Sequence, residues 1–358
     1  MKNLLITGGC GFIGSNFIQY LHRIEPSLRI HNVDSLTYAA NENNLNDLMD
    51  SSNYVFTKGD ICDVELIERI LVENEIDTIV HFAAETHVDR SIYGPEAFIQ
   101  TNVVGTFRLL ETAKKVWSEK SNGNWGQFRF HHVSTDEVYG TLEPDDPAFS
   151  ETTPYAPNSP YSASKAASDH MVRAYYQTYG MPVTISNCSN NYGAYQFPEK
   201  LIPLVILNAL QGKDLPVYGD GKQSRDWLFV EDHCEAIYRI LKCGKLGETY
   251  NIGGNSERTT VQVISTICEI LDELQPESVN VPHVNLIKHV NDRPGHDRRY
   301  AINASKIKKE LDWNPGMSFK EGILVTVEWY LQNMAWVEEM LSRKDYKKWL
   351  EKNYEKRG

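Results

Sequence analysis

The sequence predicts an α/β protein in which a doubly wound parallel sheet is joined to a smaller C-terminal α/β lobe. Three observations predict this class. Apolar runs of strand-forming residues alternate with segments of helical spacing, most of these runs are apolar throughout, and a glycine-rich turn follows the first run. Continuous apolar runs are typical of parallel strands that helices cover on both faces, so we expect a buried sheet.

The predicted elements follow one another in a regular order. Strands are predicted over residues 3–8, 29–34, 54–61, 76–84, 128–135 and 183–193, and helical spacing occurs over residues 15–24, 64–75 and 95–117. After residue 193, Pro and Gly separate shorter elements. We therefore expect a first domain over residues 1–193, to which later segments return, and a lobe with C-terminal helices over residues 194–358. The charged segment 337–358 is expected to form a solvated helix.

Composition and charge limit the classes of partner. The 358 residues are 41% hydrophobic and 23% charged, which is typical of a soluble globular protein. The net charge of −12 argues against nucleic acid or an anionic membrane as the main partner, because both reward clustered Lys and Arg. No apolar stretch approaches the roughly 20 residues that span a bilayer. The six cysteines show neither CxxC pairs nor zinc-like spacing, so we expect no metal and reduced thiols in a cytoplasmic protein.

A glycine-rich turn joins the first predicted strand to the first helix. Gly8, Gly11 and Gly14 leave room for a pyrophosphate beside the backbone, and the helix N-terminus supplies N–H donors and the positive end of a dipole. Asp34 ends the next strand, where a carboxylate accepts from both ribose hydroxyls and repels a 2′-phosphate. These features predict a Rossmann-type domain that binds NAD rather than NADP. The alternative is a tight structural turn without a ligand.

Tyr161 and Lys165, in the stretch YSASK, are four residues apart and therefore share one face of a helix. A Lys ammonium lowers the pKa of a nearby phenol, and a phenolate can take the proton of an alcohol while hydride leaves for nicotinamide. The same spacing also occurs by chance as a surface pair. The glycine turn, together with Thr135 at a strand end, makes the catalytic interpretation more specific.

Two adjacent acids, Asp136 and Glu137, follow the predicted fifth strand in the stretch STDEVYG. Because unpaired carboxylates are costly to bury, either the strand has reached solvent or the acids are functional. Neighbouring side chains of a regular strand point to opposite faces. Both acids can therefore serve one substrate only if the backbone turns at the strand end.

With these residues the chain resembles the extended short-chain dehydrogenase/reductase family, in which a Tyr–Lys pair and a Ser or Thr carry hydride transfer. The Thr-Asp-Glu run is similar to that of the sugar-nucleotide 4,6-dehydratases in this family, and the wider pattern looks like their dTDP-glucose branch. The resemblance extends from residue 1 to beyond residue 330. It is carried by VSTDEVYG, HFAAETHVDRSI, YSASKAASDH, NCSNNYGAYQFPEKLIPL, RDWLFVEDH, YNIGG and DRPGHDRRYAI.

The resemblance implies a cycle in which hydride leaves C4 of the sugar for NAD and later returns to C6. In that cycle Tyr161, assisted by Lys165, is the base at C4, and Thr135 orients the sugar. Glu137 is the base at C5, and Asp136 is the acid for the departing C6 hydroxyl. The expected product is dTDP-4-keto-6-deoxyglucose, with NAD regenerated in each turnover.

The resemblance also implies contacts to two ligands. For NAD these are Gly8, Gly11, Phe12, Ile13, Gly14, Asp34, Ser35, Leu36, Thr37, Asp60, Ile61, Ala83, Ala84, Thr101, Tyr161, Lys165 and Asn191. For dTDP-glucose they are Thr86, His87, Thr135, Asn190, Lys200, Leu201, Pro216, Val217, Tyr218, Arg225, Ser256, Asp292, Arg293 and His296. The arginines are expected to face the diphosphate, since a planar guanidinium suits its oxygens. Without the family pattern, Arg225 and Arg293 would be expected to pair with the neighbouring Asp226 and Asp292.

Four positions depart from the family pattern. Cys10, Thr86, Ala194 and Ser256 stand where Ala, Ser, Pro and Asn are usual. The change at Ser256 leaves the nucleotide open, so a UDP-glucose or CDP-glucose dehydratase is the alternative.

Other functions explain fewer of the residues. A GDP-mannose dehydratase fits less well, because that family usually lacks Asp136 and prefers NADP. A 4-epimerase leaves both acids unexplained, and an inactive NAD-binding scaffold is opposed by the complete catalytic set. The family usually pairs two subunits through long helices, which residues 95–117 and 161–180 can supply. We therefore expect a homodimer.

Overall fold

The computed structural model describes residues 1–121, 124–292 and 297–343. The strands in these ranges are β1 (Asn3–Thr7), β2 (Arg29–Asp34), β3 (Tyr54–Lys58), β4 (Thr78–His81), β5 (Arg129–Thr135), β6 (Val183–Cys188), β7 (Asn190–Tyr192), β8 (Leu215–Tyr218), β9 (Ser224–Phe229), β10 (Thr249–Ile252), β11 (Glu257–Thr259), β12 (Ile287–Val290) and β13 (Arg299–Tyr300).

The α-helices in the same ranges are α1 (Phe12–Ile24), α2 (Val64–Glu73), α3 (Val88–Tyr93), α4 (Pro95–Phe98), α5 (Thr106–Ser121), α6 (Pro160–Tyr179), α7 (Leu201–Leu210), α8 (Val230–Cys243), α9 (Thr260–Leu274), α10 (Ser305–Leu311), α11 (Phe319–Gln332) and α12 (Met334–Ser342). Short 3-10 helices cover Glu42–Leu48, Trp125–Gln127, Asp136–Tyr139 and His283–Leu286, and Ile99–Gly105 form a π-helix.

Seven strands form the main sheet, in the order β10–β6–β5–β4–β1–β2–β3. All neighbouring pairs in it are parallel. Since β1 lies between β4 and β2, the strand order reverses there, and open α/β sheets bind ligands at the carboxyl ends of the strands beside such a point. The predicted fold class is confirmed.

Helices cover both faces of the main sheet. On one face α1 packs beside α8, and its buried Phe17, Ile18 and Leu21 recur at helical spacing. On the other face α2, α5 and α6 pack together, with Ile67 and Leu109 fully buried. Burying apolar surface on both faces stabilises the sheet by about 25 cal/mol per Å², which is why its strands read as apolar runs.

The smaller lobe is built on short strands and three helices. β9 pairs with β7, β11 and β13, while β8 pairs with β12. α7, α9 and α11 bury Val205, Ile267 and Ile323 in one apolar cluster. β10 belongs to the main sheet, where it pairs with β6. Among the described residues, no helix combines the length and apolarity needed to cross a membrane.

Two expectations about individual elements are wrong, and a third holds with a local change. The predicted sixth strand is two strands, because β6 ends at Cys188 and β7 pairs with β9 instead. The segment 95–117 is helical throughout as predicted, and a π-helix joins α4 to α5 within it. The start of segment 337–358 is packed rather than solvated, since Val337 and Met340 lie on one face of α12 and are buried. Residues 344–358 lie outside the described residues.

Candidate active site

A cavity of about 430 Å³ opens at the carboxyl ends of β1, β4 and β5, where the strand order predicts a crevice. Its lining includes the predicted cofactor contacts Gly8, Gly11, Phe12, Ile13, Gly14, Asp34, Ser35, Thr37, Asp60, Ile61, Ala83, Ala84, Thr101, Tyr161, Lys165 and Asn191. It also includes the predicted catalytic and substrate residues Thr86, Thr135, Asp136, Glu137, Asn190 and Lys200. The volume is in the usual range for small-molecule sites, about 300–1,000 Å³.

The backbone around the glycine turn leaves no room for side chains at two of its glycines. Gly8 has a φ of +73°, and a Cβ there would lie 2.6 Å from the Ala83 nitrogen. A Cβ on Gly14 would lie 2.3 Å from the Gly8 carbonyl oxygen. Glycine is therefore required for this turn to reach the cavity and for α1 to start against it.

Asp34 fixes the glycine turn to the end of β2. Its carboxylate accepts from the backbone N–H of Cys10 at 2.9 Å and from that of Leu36 at 2.8 Å. Burial raises the pKa of Asp34, and the two amide donors oppose that shift. Leu36, predicted as a cofactor contact, does not line the cavity, and its side chain packs against the core beneath the turn.

The residues present fit a dinucleotide. The cavity joins the glycine turn to a carboxylate at the end of β2, and Asp60 and Ile61 follow β3 along the same edge. Buried oxygens of Asn190 and Gln196 in the lining have no hydrogen-bond partner among the described residues. Buried polar atoms are normally paired, so these oxygens indicate a polar ligand.

The end of β5 turns as the two-acid hypothesis requires. Thr135 is the last strand residue, and a 3-10 helix begins at Asp136. The Thr135 hydroxyl caps this helix by accepting from the Glu137 N–H at 3.3 Å. Because the strand geometry ends there, both Asp136 and Glu137 line the same cavity.

Asp136 is a carboxyl whose surroundings disfavour its ionised form. Its side chain is buried, and one of its carboxyl oxygens has no partner among the described residues. Burial raises the pKa of Asp136 well above its usual range, and the charges of Glu137 and Asp226 add to the shift. A carboxyl in this state can donate a proton near neutral pH.

Tyr161 and Lys165 lie on the first turns of α6, where Ser159 and Ser162 form a capping box. The Lys165 ammonium donates to the Val133 carbonyl at 2.8 Å and is buried. Burial and Glu137 raise the pKa of Tyr161, and burial lowers the pKa of Lys165. The net shift of the Tyr161 pKa is upward, and the lowering of that pKa by Lys165 stays a prediction.

The remaining predicted substrate contacts are spread over the smaller lobe, except for His87, which directly precedes α3. The Arg225 guanidinium donates to the carbonyls of Ser224, Asp297 and Arg298 and lies 4.2 Å from the Tyr300 ring centre. His87, Leu201, Pro216, Val217, Tyr218, Arg225, Ser256 and Asp292 are absent from the cavity lining, and the Val217 side chain is buried in the lobe core. Arg293 and His296 lie outside the described residues.

Some residues of the site carry no strong sequence signal. Glu85, Gln196 and Phe197 line the cavity without having been predicted. Asn102, in the π-helix, donates to the Ser164 hydroxyl at 2.8 Å and to the Glu85 carbonyl at 3.0 Å. It thereby joins the segment after β4 to the catalytic helix. The sequence signal that could have identified Asn102 is its position as a polar residue on the buried face of segment 95–117.

A second cavity, of about 620 Å³, is lined by none of the predicted site residues. Arg258, Lys308 and Trp313 contribute to its wall. The larger volume does not make it the active site, because the glycine turn, the Tyr–Lys pair and the two acids all line the other cavity.

Fold and site together define a class. A dinucleotide crevice at the switch point of a doubly wound sheet, which also holds a Tyr–Lys pair and two acids, belongs to enzymes that combine hydride transfer with proton transfer on one small molecule.

Comparison with known proteins narrows this class. The family model described as GDP-mannose 4,6 dehydratase matches residues 5–326. A dTDP-glucose 4,6-dehydratase of Xanthomonas campestris pv. campestris (strain B100) is 58% identical over 95% of this chain and 96% of that protein. The dTDP-glucose 4,6-dehydratase 1 of Escherichia coli (strain K12) is 54% identical over 99% of both.

A solved structure agrees with these relatives. DesIV, a dTDP-glucose 4,6-dehydratase from Streptomyces venezuelae with NAD and TYD bound, is 44% identical with a TM-score of 0.85, over 94% of this chain and 99% of that one. The chain belongs to the dTDP-glucose 4,6-dehydratases of the extended short-chain dehydrogenase/reductase family. The resemblance stated from the sequence is thereby confirmed.

Proposed function

We propose that the chain converts dTDP-glucose to dTDP-4-keto-6-deoxyglucose and water, with NAD recycled within each turnover. One observation carries the proposal beyond family membership. The two acids at the end of β5 turn into the cavity that also holds Tyr161, Lys165 and the glycine turn. The relatives named above carry the same activity in their names.

The glycine turn, Asp34, Asp60 and Ile61 would hold the dinucleotide along the edge of the main sheet. NAD supplies a hydride acceptor at C4 of the sugar and later a hydride donor at C6, so no external reductant is needed. Asp34 favours NAD over NADP, because a carboxylate repels a 2′-phosphate.

Tyr161 takes the proton of the C4 hydroxyl as that carbon is oxidised. Burial alone would hold this phenol neutral, so the Lys165 ammonium is needed nearby to favour the phenolate. Lys165 is fixed on α6 by its bond to the Val133 carbonyl. The Thr135 hydroxyl, at the strand end beside the acids, orients the sugar.

Glu137 and Asp136 divide the elimination between them. Oxidation makes C5–H acidic, since it is then next to a ketone, and Glu137 removes that proton. Asp136, whose pKa is raised by burial, gives its proton to the C6 hydroxyl, which leaves as water. Glu137 then returns its proton to C5 when C6 is reduced. Tyr161 releases the proton of the C4 hydroxyl to solvent, and Asp136 takes up a proton from solvent.

The nucleotide is the part of the proposal that sequence pattern supports least. Asn190, Lys200, Leu201 and residues 216–218 are proposed to contact the nucleotide and its linker. Arg225, Arg293 and His296 are proposed to face the diphosphate. Ser256, where Asn is usual, leaves UDP-glucose or CDP-glucose as the second candidate.

Separate incubations with dTDP-glucose, UDP-glucose and CDP-glucose, each with NAD, test the function. Alkaline absorbance reports the 4-keto product and mass spectrometry the loss of one water. We expect loss of water from dTDP-glucose and little from the other two. If only UDP-glucose or CDP-glucose lost water, the proposed nucleotide specificity would be wrong. If none of the three lost water, the proposed dehydratase activity would be overturned.

We also propose that two copies of the chain pair through α4, α5 and α6. Exposed apolar side chains on and beside these helices support this, including Ile92 at 48%, Ile99 at 50% and Phe107 at 42%. Burying such side chains in an interface would lower the free energy of the pair. Cytoplasmic location stays a prediction, which the six free cysteines support.

A further inference from the structure

A loop over residues 35–40 forms one wall of the cavity that is proposed to bind the cofactor. Ser35, Thr37, Ala39 and Ala40 line the cavity there, directly after Asp34 at the end of β2. Loops are more mobile than the elements that they connect. How firmly this loop is held therefore decides how easily a dinucleotide can leave.

Tyr38 ties the loop to two other segments. Its ring meets the Phe197 ring edge-on, with centroids 5.8 Å apart. The Arg90 guanidinium lies 3.7 Å from the centre of the same ring. Arg90 is on α3, which follows β4, whereas Phe197 lies between β7 and α7. The ring therefore connects three segments that are far apart in the sequence.

A buried carboxylate completes the arrangement. Arg90 donates to one oxygen of Glu199 through Nε at 3.3 Å and Nη2 at 3.1 Å. The Glu199 side chain is 1% exposed, and His87 Nε2 lies 3.8 Å from its other oxygen. Breaking a buried ion pair leaves an uncompensated charge, so the guanidinium is held firmly over the ring.

The far end of the loop is fixed as well. The Arg343 guanidinium donates to the Ala40 carbonyl, and Asn41 donates to Glu339 of α12 at 3.1 Å. The loop is thus held by α12 at its end and by Tyr38 in its middle. The Tyr38 contacts with Arg90 and Phe197 reach the segments that also carry Glu85, Thr86 and Lys200, which line the cavity.

We propose that Tyr38, Arg90, Phe197 and Glu199 form a clamp that retains the dinucleotide in the crevice throughout the catalytic cycle. This inference rests on the proposed function, in which the hydride taken from C4 must return to the same sugar. Loss of the reduced cofactor between these steps would release an oxidised sugar and leave the enzyme without hydride. A clamp outside the reacting atoms prevents this without altering the chemistry.

The test measures cofactor retention without any sugar nucleotide. The full chain is loaded with NAD, passed through a desalting column, and its bound NAD is quantified after acid extraction at successive times. Tyr38→Ala and Arg90→Met are expected to lose NAD about tenfold faster than the unmodified chain, since a desolvated cation–π contact is worth that order of affinity. Tyr38→Phe keeps the ring and should retain NAD.

Tyr179→Ala is the matched control, because this tyrosine is 48% exposed at the end of α6. Its NAD release should equal that of the unmodified chain. Equal release from Tyr38→Ala and the unmodified chain would overturn the clamp, as would loss of NAD from Tyr38→Phe as fast as from Tyr38→Ala. If Tyr38→Ala does not fold, the comparison of Arg90→Met with Tyr38→Phe decides.

Turnover separates this inference from the proposed function. With saturating NAD, Tyr38→Ala should regain most of its dehydratase activity, whereas without added NAD it should lose activity during repeated turnover. A chain that retains NAD but never dehydrates a sugar nucleotide would overturn the proposed function and leave the clamp standing. If Tyr38→Ala is as inactive with saturating NAD as it is without added NAD, the clamp is overturned, because the defect would then lie in the chemical steps.

Discussion

Asp136 and Glu137 are adjacent in the chain, yet their surroundings differ, which supports the different roles proposed for them. Asp136 is buried under the turn that ends β5, whereas Glu137 is only partly buried. Burial and the neighbouring acids raise the pKa of the Asp136 carboxyl, which suits a proton donor. Glu137 lines the same cavity and is the less buried of the two acids, which suits the proposed role of proton acceptor.

Glu137→Gln is expected to separate oxidation from elimination. The variant should still develop NADH-like absorbance on addition of dTDP-glucose, since Tyr161 is intact. Formation of the 4-keto-6-deoxy product should fall by about 10²- to 10⁴-fold, the usual contribution of a general base. Absorbance and mass spectrometry of the same reaction check both parts.

Two other variants are compared with Glu137→Gln in the same experiment. Glu143→Gln changes an exposed acid nearby and should leave product formation unchanged. Tyr161→Phe should abolish the NADH-like absorbance itself. Normal product from Glu137→Gln would remove Glu137 from its proposed role.

Asp136 also makes the fold sensitive to pH. Its pKa is raised in the folded chain, so the folded state holds a proton that the unfolded chain has lost above the ordinary value of 3.8. Stability from this group is therefore lost as pH rises above that value, by about 1.4 kcal/mol per pH unit, until the folded pKa is passed. Asp136→Asn removes this dependence.

The expected result is a stability difference between Asp136→Asn and the unmodified chain that grows in favour of the variant as pH rises from about 4. Denaturant unfolding at a series of pH values measures it. Asp145→Asn, at an exposed position, is measured beside it as the matched control. A difference for Asp136→Asn that does not change with pH would contradict the raised pKa of Asp136.

At the scale of elements, the site depends on how strands end. β1 ends in a glycine turn that only glycine can form, and β5 ends in a 3-10 helix that begins at Asp136. Both ends lie at the same edge of the sheet, since parallel strands share a direction. The position of the crevice therefore depends on how β1 and β5 end as much as on the order of the strands in the sheet.

Gly8→Ala is expected to damage both cofactor binding and stability. The added Cβ would lie 2.6 Å from the Ala83 nitrogen at a φ of +73°, so the turn must shift. Strain of this kind costs about 1 to 3 kcal/mol. Thermal unfolding and NAD titration check the two effects.

Gly94→Ala is the matched substitution. Its φ is −151°, and the nearest atom to an added Cβ is 3.9 Å away, so there is room for a methyl group. It should bind NAD as the unmodified chain does. Equal binding by Gly8→Ala would contradict the assignment of the turn to the cofactor.

At the scale of the whole molecule, the two lobes meet through segments that are distant in sequence. β10 completes the main sheet beside β6, whereas β7, which follows β6 in the chain, pairs with β9. These crossings place parts of both lobes around one cavity. The division of the chain at residue 193 stays a prediction, as does the homodimer.

Light scattering tests the homodimer directly. The unmodified chain should scatter with twice its mass of 40.9 kDa. Phe107→Asp places a charge on the proposed interface and should shift the mass towards that of one chain. Val325→Asp, at an exposed apolar position on α11, should not. A single-chain mass for the unmodified protein would contradict the pairing.

The sequence alone determined the features that depend on neighbours along the chain. Periodicity predicts a strand or a helix because each element repeats its burial every two or 3.6 residues. Gly8, Gly11 and Gly14 predict the turn because their spacing answers a local backbone requirement. Tyr161 and Lys165 predict a shared helix face for the same reason. The first five strands, the turn and the family resemblance are confirmed, whereas the sixth predicted strand is divided in two.

Only the tertiary structure decided what those residues experience. The raised pKa of Asp136 and the hydrogen bond from Lys165 to Val133 depend on burial under elements from elsewhere in the chain. The contact of Tyr38 with Arg90 joins residues 52 positions apart, and that with Phe197 spans 159. Such contacts leave no period in the sequence, because the free energy that forms them comes from packing between distant segments rather than from the local backbone.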